Sequence, residues 1–543
     1  MVSIFFDLEK AYDTTWKFGI LQDLQNAGLK GRLPLFISKF LANRQFRVRI
    51  GSCLSDPFKQ EMGVPQGSIL SVTLFVLKIN SIVNCLPASV RGSLFVDDFL
   101  ICYRSKYMPS IERVLQGCLN KIESWADNNG FRFSKSKSVC MHFCNKRIPH
   151  SDPSLKIYNT EIPVVTETKF LGLTFDSKLS FKPHIANLKQ KCLKTINLLR
   201  VVAHTHWGAD SSTLLKLYRC LIRSKLDYGC MVYGSARTSY LESLDRVQNA
   251  ALRACLGVFR TTPITSLCVE ANEIPISLRR QKLAVQYVLK LKSNPSNPTY
   301  TSVFQCNYRA VFEAKPNVIP TLGLRLRQTI LDSGIDLNCI ANYSIPETPP
   351  WLLLKPNFDY GLYNVGTKSN TSPNVFISSH NELNSLYQGY ENIFTDGSKQ
   401  GSAVASAAVS GDKILVKRLP NNASIFSAEA SAILLALDMI SQTSNLKFLI
   451  LSDSLSCINS IENKDLQNPF IVEILERLHE LVSIGSNTAA DATAKAALCL
   501  QISNSLIPYS DLKPLITSHL NNCWQQSWNA ETNITNCIEF NHS

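Results

Sequence analysis

Over residues 1–180 short apolar runs alternate with stretches of helical period, the pattern of a mixed α/β or α+β domain. Strands are predicted over 2–6, 93–96, 99–103 and 170–175, and helices over 20–27, 33–41, 65–82 and 111–128. From 181 to 256 the pattern becomes helical, with basic stretches at 188–200 and 212–224. A region rich in Pro, Asn and Ser follows over 294–380, without a long periodic segment, and reads as a connector or poorly ordered linker. A second α/β unit opens at Ile393. It has strands predicted over 393–394, 404–409, 414–418 and 448–452, and helices over 427–439 and 472–482. There is no internal repeat and no low-complexity tract.

Composition narrows the picture. With 543 residues, 45% of them hydrophobic and 18% charged, the chain is globular and long enough for two or three cores. No apolar run reaches the roughly eighteen residues of a membrane span. The nearest approach, 72–86, is broken by Lys78 and Asn80. The N-terminus lacks a basic segment and a small-residue cleavage site, so the chain reads as intracellular, nuclear or cytoplasmic, with no membrane partner. Seventeen cysteines are scattered without paired CxxC spacing, as expected of reduced, mostly buried thiols. Lys and Arg number 56 against 42 acids, a net charge of +14, which suits a polyanion such as nucleic acid.

Three segments of the first domain carry candidate chemistry. In the run from Ile4 to Asp13 (IFFDLEKAYD), Asp7 stands at the end of an apolar strand. Gly63 to Ser68 (GVPQGS) is a polar Gly/Pro turn before an apolar helix, and Leu94 to Leu100 (LFVDDFL) sets two acids between apolar runs. Taken singly, an Asp-Asp pair reads as a β-turn and a strand-ending Asp as surface decoration. Together they suit phosphoryl transfer by two divalent ions about 3.5–4 Å apart, which needs carboxylates converging from separate strands.

FFDLEKAYD, GVPQGSILS and FVDDF, in this order, resemble motifs A, B and C of non-LTR retrotransposon reverse transcriptases. The resemblance implies that Asp7, Asp97 and Asp98 are catalytic carboxylates holding Mg²⁺ or Mn²⁺, and that Tyr12 is the gate against the ribose 2′-hydroxyl. It places Gln66 and Gly67 in the loop lining the nucleotide site, makes Lys137 the motif D lysine that protonates pyrophosphate, and sets Leu171 and Gly172 in a primer grip. The helical stretch through His206-Trp207-Gly208 and Asp227-Tyr228-Gly229 is similar to a thumb. The implied partners are an RNA template, a DNA primer and deoxynucleoside triphosphates. Only six residues precede Asp7, so the family's fingers subdomain is expected to be missing and polymerase activity to be weak or absent.

A second carboxylate set lies in the C-terminal unit. The run from Phe394 to Ser398 (FTDGS) reads as a strand ended by an acid and a Gly turn. Glu429 begins a helix among Ala and Leu, and Asp453 ends another strand. Each alone has an ordinary reading, as a helix-start acid for Glu429 and as a turn or cap residue for the other two. Jointly TDGS, SAEASAILLAL and LSDS resemble type 1 RNase H, which implies metal-binding roles for Asp396, Glu429, Asp453 and Asp491, and an RNA–DNA hybrid as substrate. The spacing between the 472–482 helix and Asp491 is too short for the family's further strand and histidine loop, so one strand is expected to be lacking. His479 is expected to be an ordinary solvent-facing helix residue. The predicted architecture is therefore α+β and α/β multidomain. It comprises a palm without fingers (1–180), a thumb-like helical region (181–290), a connector (291–390), an RNase H-like mixed sheet with helices (391–500) and a tail (501–543). A non-catalytic nucleic-acid-binding relic is the rival reading.

Overall fold

The computed structural model describes residues 1–144, 151–204, 206–305, 309–315, 318–366, 371–443, 447–484 and 505–530. The chain divides into two units, Met1–Val201 with Ser235–Val247, and Val202–Gly234 with Gln248–Ser543.

The first unit is organised around β1 (Val2–Phe6), all five residues of which are buried. A near-continuous apolar run, interrupted only by the buried Ser3, suits a strand covered on both faces, and β1 lies inside its sheet. After α1 (Lys17–Asn26) and α2 (Ile69–Asn80) come β2 (Arg91–Phe95), β3 (Asp98–Tyr103), α3 (Met108–Asn129) and β4 (Val139–His142). The sheet has the order β2-β3-β1-β4 and every pairing is antiparallel. On α3, Ile111, Leu115, Cys118, Leu119 and Ile122 form one apolar stripe, and Gly130 ends the helix at φ 73°. Lys78 is an exception inside the apolar α2. Its ammonium is buried, 3.0 Å from Asp23 Oδ2 on α1, and it fits because Gly19 has no Cβ. A Cβ there would lie 2.8 Å from Lys78 Nζ.

The strand expected over 170–175 is instead a hairpin of β5 (Glu167–Phe170) and β6 (Leu173–Asp176). Leu171 and Gly172 form its two-residue turn at φ 45° and 79°, the left-handed geometry of a type I′ hairpin. An apolar residue at the first turn position hid the break from the pattern. Asp176 accepts from the Phe181 and Ser180 N–H groups at 2.8 and 3.0 Å, where α4 (Lys182–Val202) begins.

In the second unit, buried Glu273 receives Arg219 at 2.6 Å and Arg223 at 2.7 Å. Asp227, of the thumb-like motif, takes a two-pronged bond from Arg279 at 2.7 and 2.6 Å. Arg279 lies on α5 (Ile276–Lys292). The region expected as an aperiodic connector contains helices, the longest of them among the described residues being α6 (Leu322–Asp332) and α7 (Pro373–Leu386). Segment 350–360 is tied down by Lys464, which donates to the carbonyls of Pro350 and Leu353, and by Tyr360, whose hydroxyl donates to Glu462 at 2.6 Å. Leu353 and Phe358 enter the core singly, so no period betrays them.

The sheet that follows comprises β7 (Glu391–Gln400), β8 (Ala403–Ser410), β9 (Lys413–Leu419) and β10 (Phe448–Ser452), in the order β9-β8-β7-β10. Only β10 runs parallel to its neighbour β7. Packed on it is α8 (Ile425–Ser441), and α9 (Pro469–Ile484) packs in turn against α8. A further core joins Val285 and Leu289 of α5 to Leu419, Ala428 and residues of the C-terminal segment: Ile507, Leu512, Ile516 and Leu520. The last two lie on α10 (Lys513–Asn529). Among the described residues no helix is long and apolar enough to cross a membrane, and the cysteines are unbridged.

One consequence concerns pH. His184, on α4, accepts the Thr174 N–H of β6 at 3.3 Å through Nδ1. Burial, then Lys191, holds its imidazole below the usual 6.5. The unfolded chain takes up this proton more readily, so the stability is complete above that value and is lost as pH falls from it through the folded value. We expect the melting-temperature difference between the parent and His184→Asn to shrink from pH 7.5 to 5.5. A difference independent of pH in thermal melts would contradict this.

Candidate metal centres

The register of the first sheet brings its acids together. Phe6 faces Phe99 across β1 and β3, so one step further sets Asp7 beside Asp98. Val96 and Asp97 form the two-residue turn between β2 and β3, since Phe95 pairs with Asp98. Val96 is held at φ 57°, a costly conformation for a β-branched residue, at the point where the Asp pair is presented. Burial, followed by the charges of Asp97 and Asp7, raises the Asp98 carboxyl above its ordinary range. Burial and Asp97 raise the Tyr12 phenol likewise. Tyr12 stacks on Phe75 of α2 with ring centroids 4.6 Å apart.

The glycine loop is docked against the same segment. The Gly63 and Val64 N–H groups donate to the carbonyls of Thr15 and Tyr12, each at 2.9 Å. Gly63 cannot be replaced cheaply, because at φ 83° its Cβ would lie 2.6 Å from the Asp13 carbonyl oxygen. Gln66 donates to Asp13 Oδ1 at 3.0 Å, and Gly67 supplies φ 91° in the open part of the loop. Lys137 lies 3.4 Å from Asp7 Oδ2, its side chain 71% exposed against 40% for Asp7. Ser138 also touches this acid, accepting the Asp7 N–H through Oγ at 3.3 Å. Phe170, before the Leu171-Gly172 turn, packs edge-on against Phe5 of β1 at 5.5 Å.

The second set is gathered more tightly. One ligand atom each from Asp396, Glu429 and Asp453 lies within 4.8 Å of the others. Among the described residues this is the only such group of three, and Asp7, Asp97 and Asp98 do not form one. Strand β7 runs through Asp396 and Gly397 rather than ending there, which corrects the expected turn. Gly397 serves close packing instead: a Cβ on it would meet the Glu429 backbone nitrogen at 2.5 Å. Helix α8 therefore presses on the strand where its acid stands. Glu429 is only 7% exposed, Asp396 is half-buried, and Asp453 is exposed just beyond β10. The parallel pairing of Thr395 with Ser452 sets Asp396 and Asp453 at the same level. Nearby Cys457 is pushed up to about 12, mainly by burial, so it stays a thiol.

Pattern reading missed Asp511. Its carboxylate accepts the Ser427 hydroxyl at 2.6 Å and the Ser424 N–H at 2.9 Å, bracing the first turn of α8. No local signal pairs residues 84 apart in sequence. His479 is half-buried, not simply solvent-facing, because its Nδ1 accepts the Leu354 N–H at 3.2 Å. Asp491, with the stretch on which the expected loss of a strand rests, lies outside the described residues.

Residues 2–175 match the family described as "Reverse transcriptase (RNA-dependent DNA polymerase)". The probable RNA-directed DNA polymerase of transposon X-element from Drosophila melanogaster is 28% identical over 271 residues, covering 47% of this chain and 28% of that protein. The polymerase of mobile element jockey from Drosophila melanogaster is 26% identical over 305 residues, covering 54% of this chain and 33% of its own length. The Pol polyprotein of type-1 retrotransposable element R1 from Bradysia coprophila is 26% identical over 282 residues, 51% of this chain and 28% of that one. The chain thus spans about a third or less of these relatives' lengths. A solved Candida albicans telomerase overlaps 50% of this chain and 47% of its own, at 14% identity and a TM-score of 0.21, which carries no argument. Residues 2–175, over a sheet whose register sets Asp7 beside Asp98, are thus similar to reverse transcriptases. The relatives it resembles there are of the non-LTR retrotransposon type, among them the R1, jockey and BS elements.

The packing at Gly397 makes a direct prediction. Gly397→Ala should cost about 1–3 kcal/mol of stability in urea unfolding, because strand and helix must separate to admit a methyl group. A variant as stable as its parent would mean that α8 is not pressed on β7.

Proposed function

We propose that the chain is part of a retroelement polyprotein that performs two phosphoryl transfers, RNA-directed DNA synthesis on the first unit and cleavage of the RNA of a hybrid on the second. The observation that carries the hydrolytic half is the gathering of Asp396, Glu429 and Asp453 within 4.8 Å. Three carboxylates so close, one of them buried, repel one another unless a cation or proton intervenes, and an all-oxygen donor set suits Mg²⁺ or Mn²⁺. When bound, such ions would supply a nucleophile at neutral pH and neutralise charge on the phosphate. The chain's part is to fix the oxygens: α8 and β7 hold Glu429 and Asp396, and β10 sets Asp453. The strand order, with β10 parallel to β7 and α8 on the sheet, suits the type 1 RNase H arrangement, and Asp491 is proposed as a fourth ligand.

For the polymerase half, Asp7, Asp97 and Asp98 are the proposed metal ligands, with Tyr12 beside them, packed on Phe75, as the gate against a ribose 2′-hydroxyl. Gln66 and Gly67 line the nucleotide position, and the Leu171-Gly172 turn meets the primer. Lys137, paired with Asp7 in this structure, becomes the proton donor to pyrophosphate once the carboxylate engages a cation. The substrates on this reading are an RNA template, a DNA primer, deoxynucleoside triphosphates and an RNA–DNA hybrid.

Primer extension on an RNA template and cleavage of a labelled hybrid, each with Mg²⁺ and with Mn²⁺, test the two halves separately. Asp97→Ala with Asp98→Ala should remove extension and spare cleavage. Asp396→Asn should do the reverse. Each loss is expected to be at least about a hundredfold, in keeping with several kcal/mol of metal-assisted stabilisation. Nucleic-acid binding with neither activity at any metal concentration would instead establish a non-catalytic relic.

A further inference from the structure

A cavity of about 520 Å³ in the second unit lies away from the carboxylates and has no part in the chemistry above. It opens at the C-terminal end of α5 and takes in the loop after that helix, Tyr343, the approach to α9 and the Pro508-Tyr509 step. Its size falls within the range of small-molecule sites. Three tyrosines, Tyr287, Tyr343 and Tyr509, line it, and its apolar surface is completed by Leu291, Pro469 and Pro508.

The polar groups have a definite sense. Asn294 Oδ1 already accepts the Ser296 hydroxyl at 2.7 Å, and Asn297 Oδ1 accepts the Thr299 N–H at 2.9 Å. The backbone N–H fixes the Asn297 amide and leaves its Nδ2 as a donor without a described partner, while the Asn294 amide, bonded to a hydroxyl, can present either its oxygen or its nitrogen. Gln467 adds a third amide, and the exposed Lys290 supplies the one cationic side chain of the lining. Among the described residues no carboxylate, histidine or cysteine lines the cavity, so the lining offers none of the usual side-chain metal ligands. A purely apolar ligand would leave the half-buried Asn294 and Asn297 amides short of hydrogen bonds, which is costly.

Aromatic faces, amide donors aimed at acceptors and a single ammonium are complementary to a flat heterocycle with carbonyl and ring-nitrogen acceptors on an anionic chain. We propose that this cavity receives an unpaired base of single-stranded nucleic acid. The base stacks on tyrosine, its edge accepts from the Asn297 amide and bonds the Asn294 amide, and Lys290 meets the adjoining phosphate. Stacking is sequence-tolerant because every base has a π-face. The cavity is also joined to the hydrolytic centre through the backbone: Tyr509 lies two residues before Asp511, which bonds Ser427, two residues before Glu429. An occupant at Tyr509 is thus held by the segment that braces the acid-bearing helix. The proposal extends the nucleic-acid reading above but does not need either reaction to occur.

The test uses the full chain and short single strands, as RNA and as DNA, beside abasic oligomers of the same length. Fluorescence anisotropy reads affinity, and 5-iodouracil photo-crosslinking with peptide mapping reads contact. We expect crosslinks on peptides bearing Tyr343 or Tyr509, and binding of the abasic strand weakened about tenfold. Tyr343→Ala should weaken the base-bearing strand about tenfold and leave the abasic strand unchanged. Asn297→Asp, which replaces a donor with an anionic acceptor, should weaken the base-bearing strand as well. Tighter binding of RNA or of DNA identifies which strand supplies the base. Equal binding of abasic and ordinary strands, or equal losses for both in Tyr343→Ala, would overturn the proposal. Calorimetric Mn²⁺ binding, from which Asp396→Asn removes the share of the Asp396, Glu429 and Asp453 centre, is read in parallel. Its persistence in the cavity variants shows an intact fold, and its absence from the parent would strike the metal-centre reading without touching this one.

Discussion

Carboxylates brought within 4.8 Å of one another repel, and nothing local in a strand or helix overcomes that. The second unit meets the constraint with rigid packing. Gly397 lets α8 settle onto β7 with no side chain between them, and the parallel partner β10 sets Asp453 level with Asp396. The apolar residues of α8 anchor the helix in the core, so Glu429 cannot retreat into solvent without drawing Ala430, Ile433 and Leu437 out with it. The centre is thus held from the hydrophobic side of the helix, by burial that has no chemistry of its own.

The first unit handles the same problem differently. Its acids stand just beyond one strand, in the tight turn between two others and at the first residue of β3, where solvent reaches them. Lys137 occupies the space beside Asp7. Here the antiparallel register fixes which acid lies beside which, while the side chains keep more freedom. The strained turn at Val96 adds a second fixed point, since a β-branched residue at φ 57° stays there only because the paired strands on either side demand it.

Much of this was legible in the residues. The apolar run of β1, the Asp pair between two apolar runs and the three C-terminal acids are short-range signals, and the strands and helices carrying them formed close to where the pattern put them. What escaped depends on contacts between distant segments. The Leu171-Gly172 turn was masked by an apolar residue in a position that usually signals itself with Asn or Asp. Gly397 read as a turn residue because a missing Cβ looks the same in sequence whether it serves a bend or a close approach. Leu353 and Phe358 join the core one at a time, without periodicity. The tie between Asp511 and Ser427 spans a distance over which local pattern has no information.

That last contact sets an order of events during synthesis. Strands β7, β8 and β9 and the whole of α8 leave the ribosome well before Asp511 does. Until it emerges, the Ser427 hydroxyl and the Ser424 N–H lack their carboxylate, and the core beneath Ala428 lacks Ile507, Leu512 and Ile516. The three acids can be drawn together early by their own strands and helix, but the support beneath them arrives late. A nascent chain therefore carries an assembled, unbraced cluster of charge, and this acidic centre matures only after residues 507–516 have emerged.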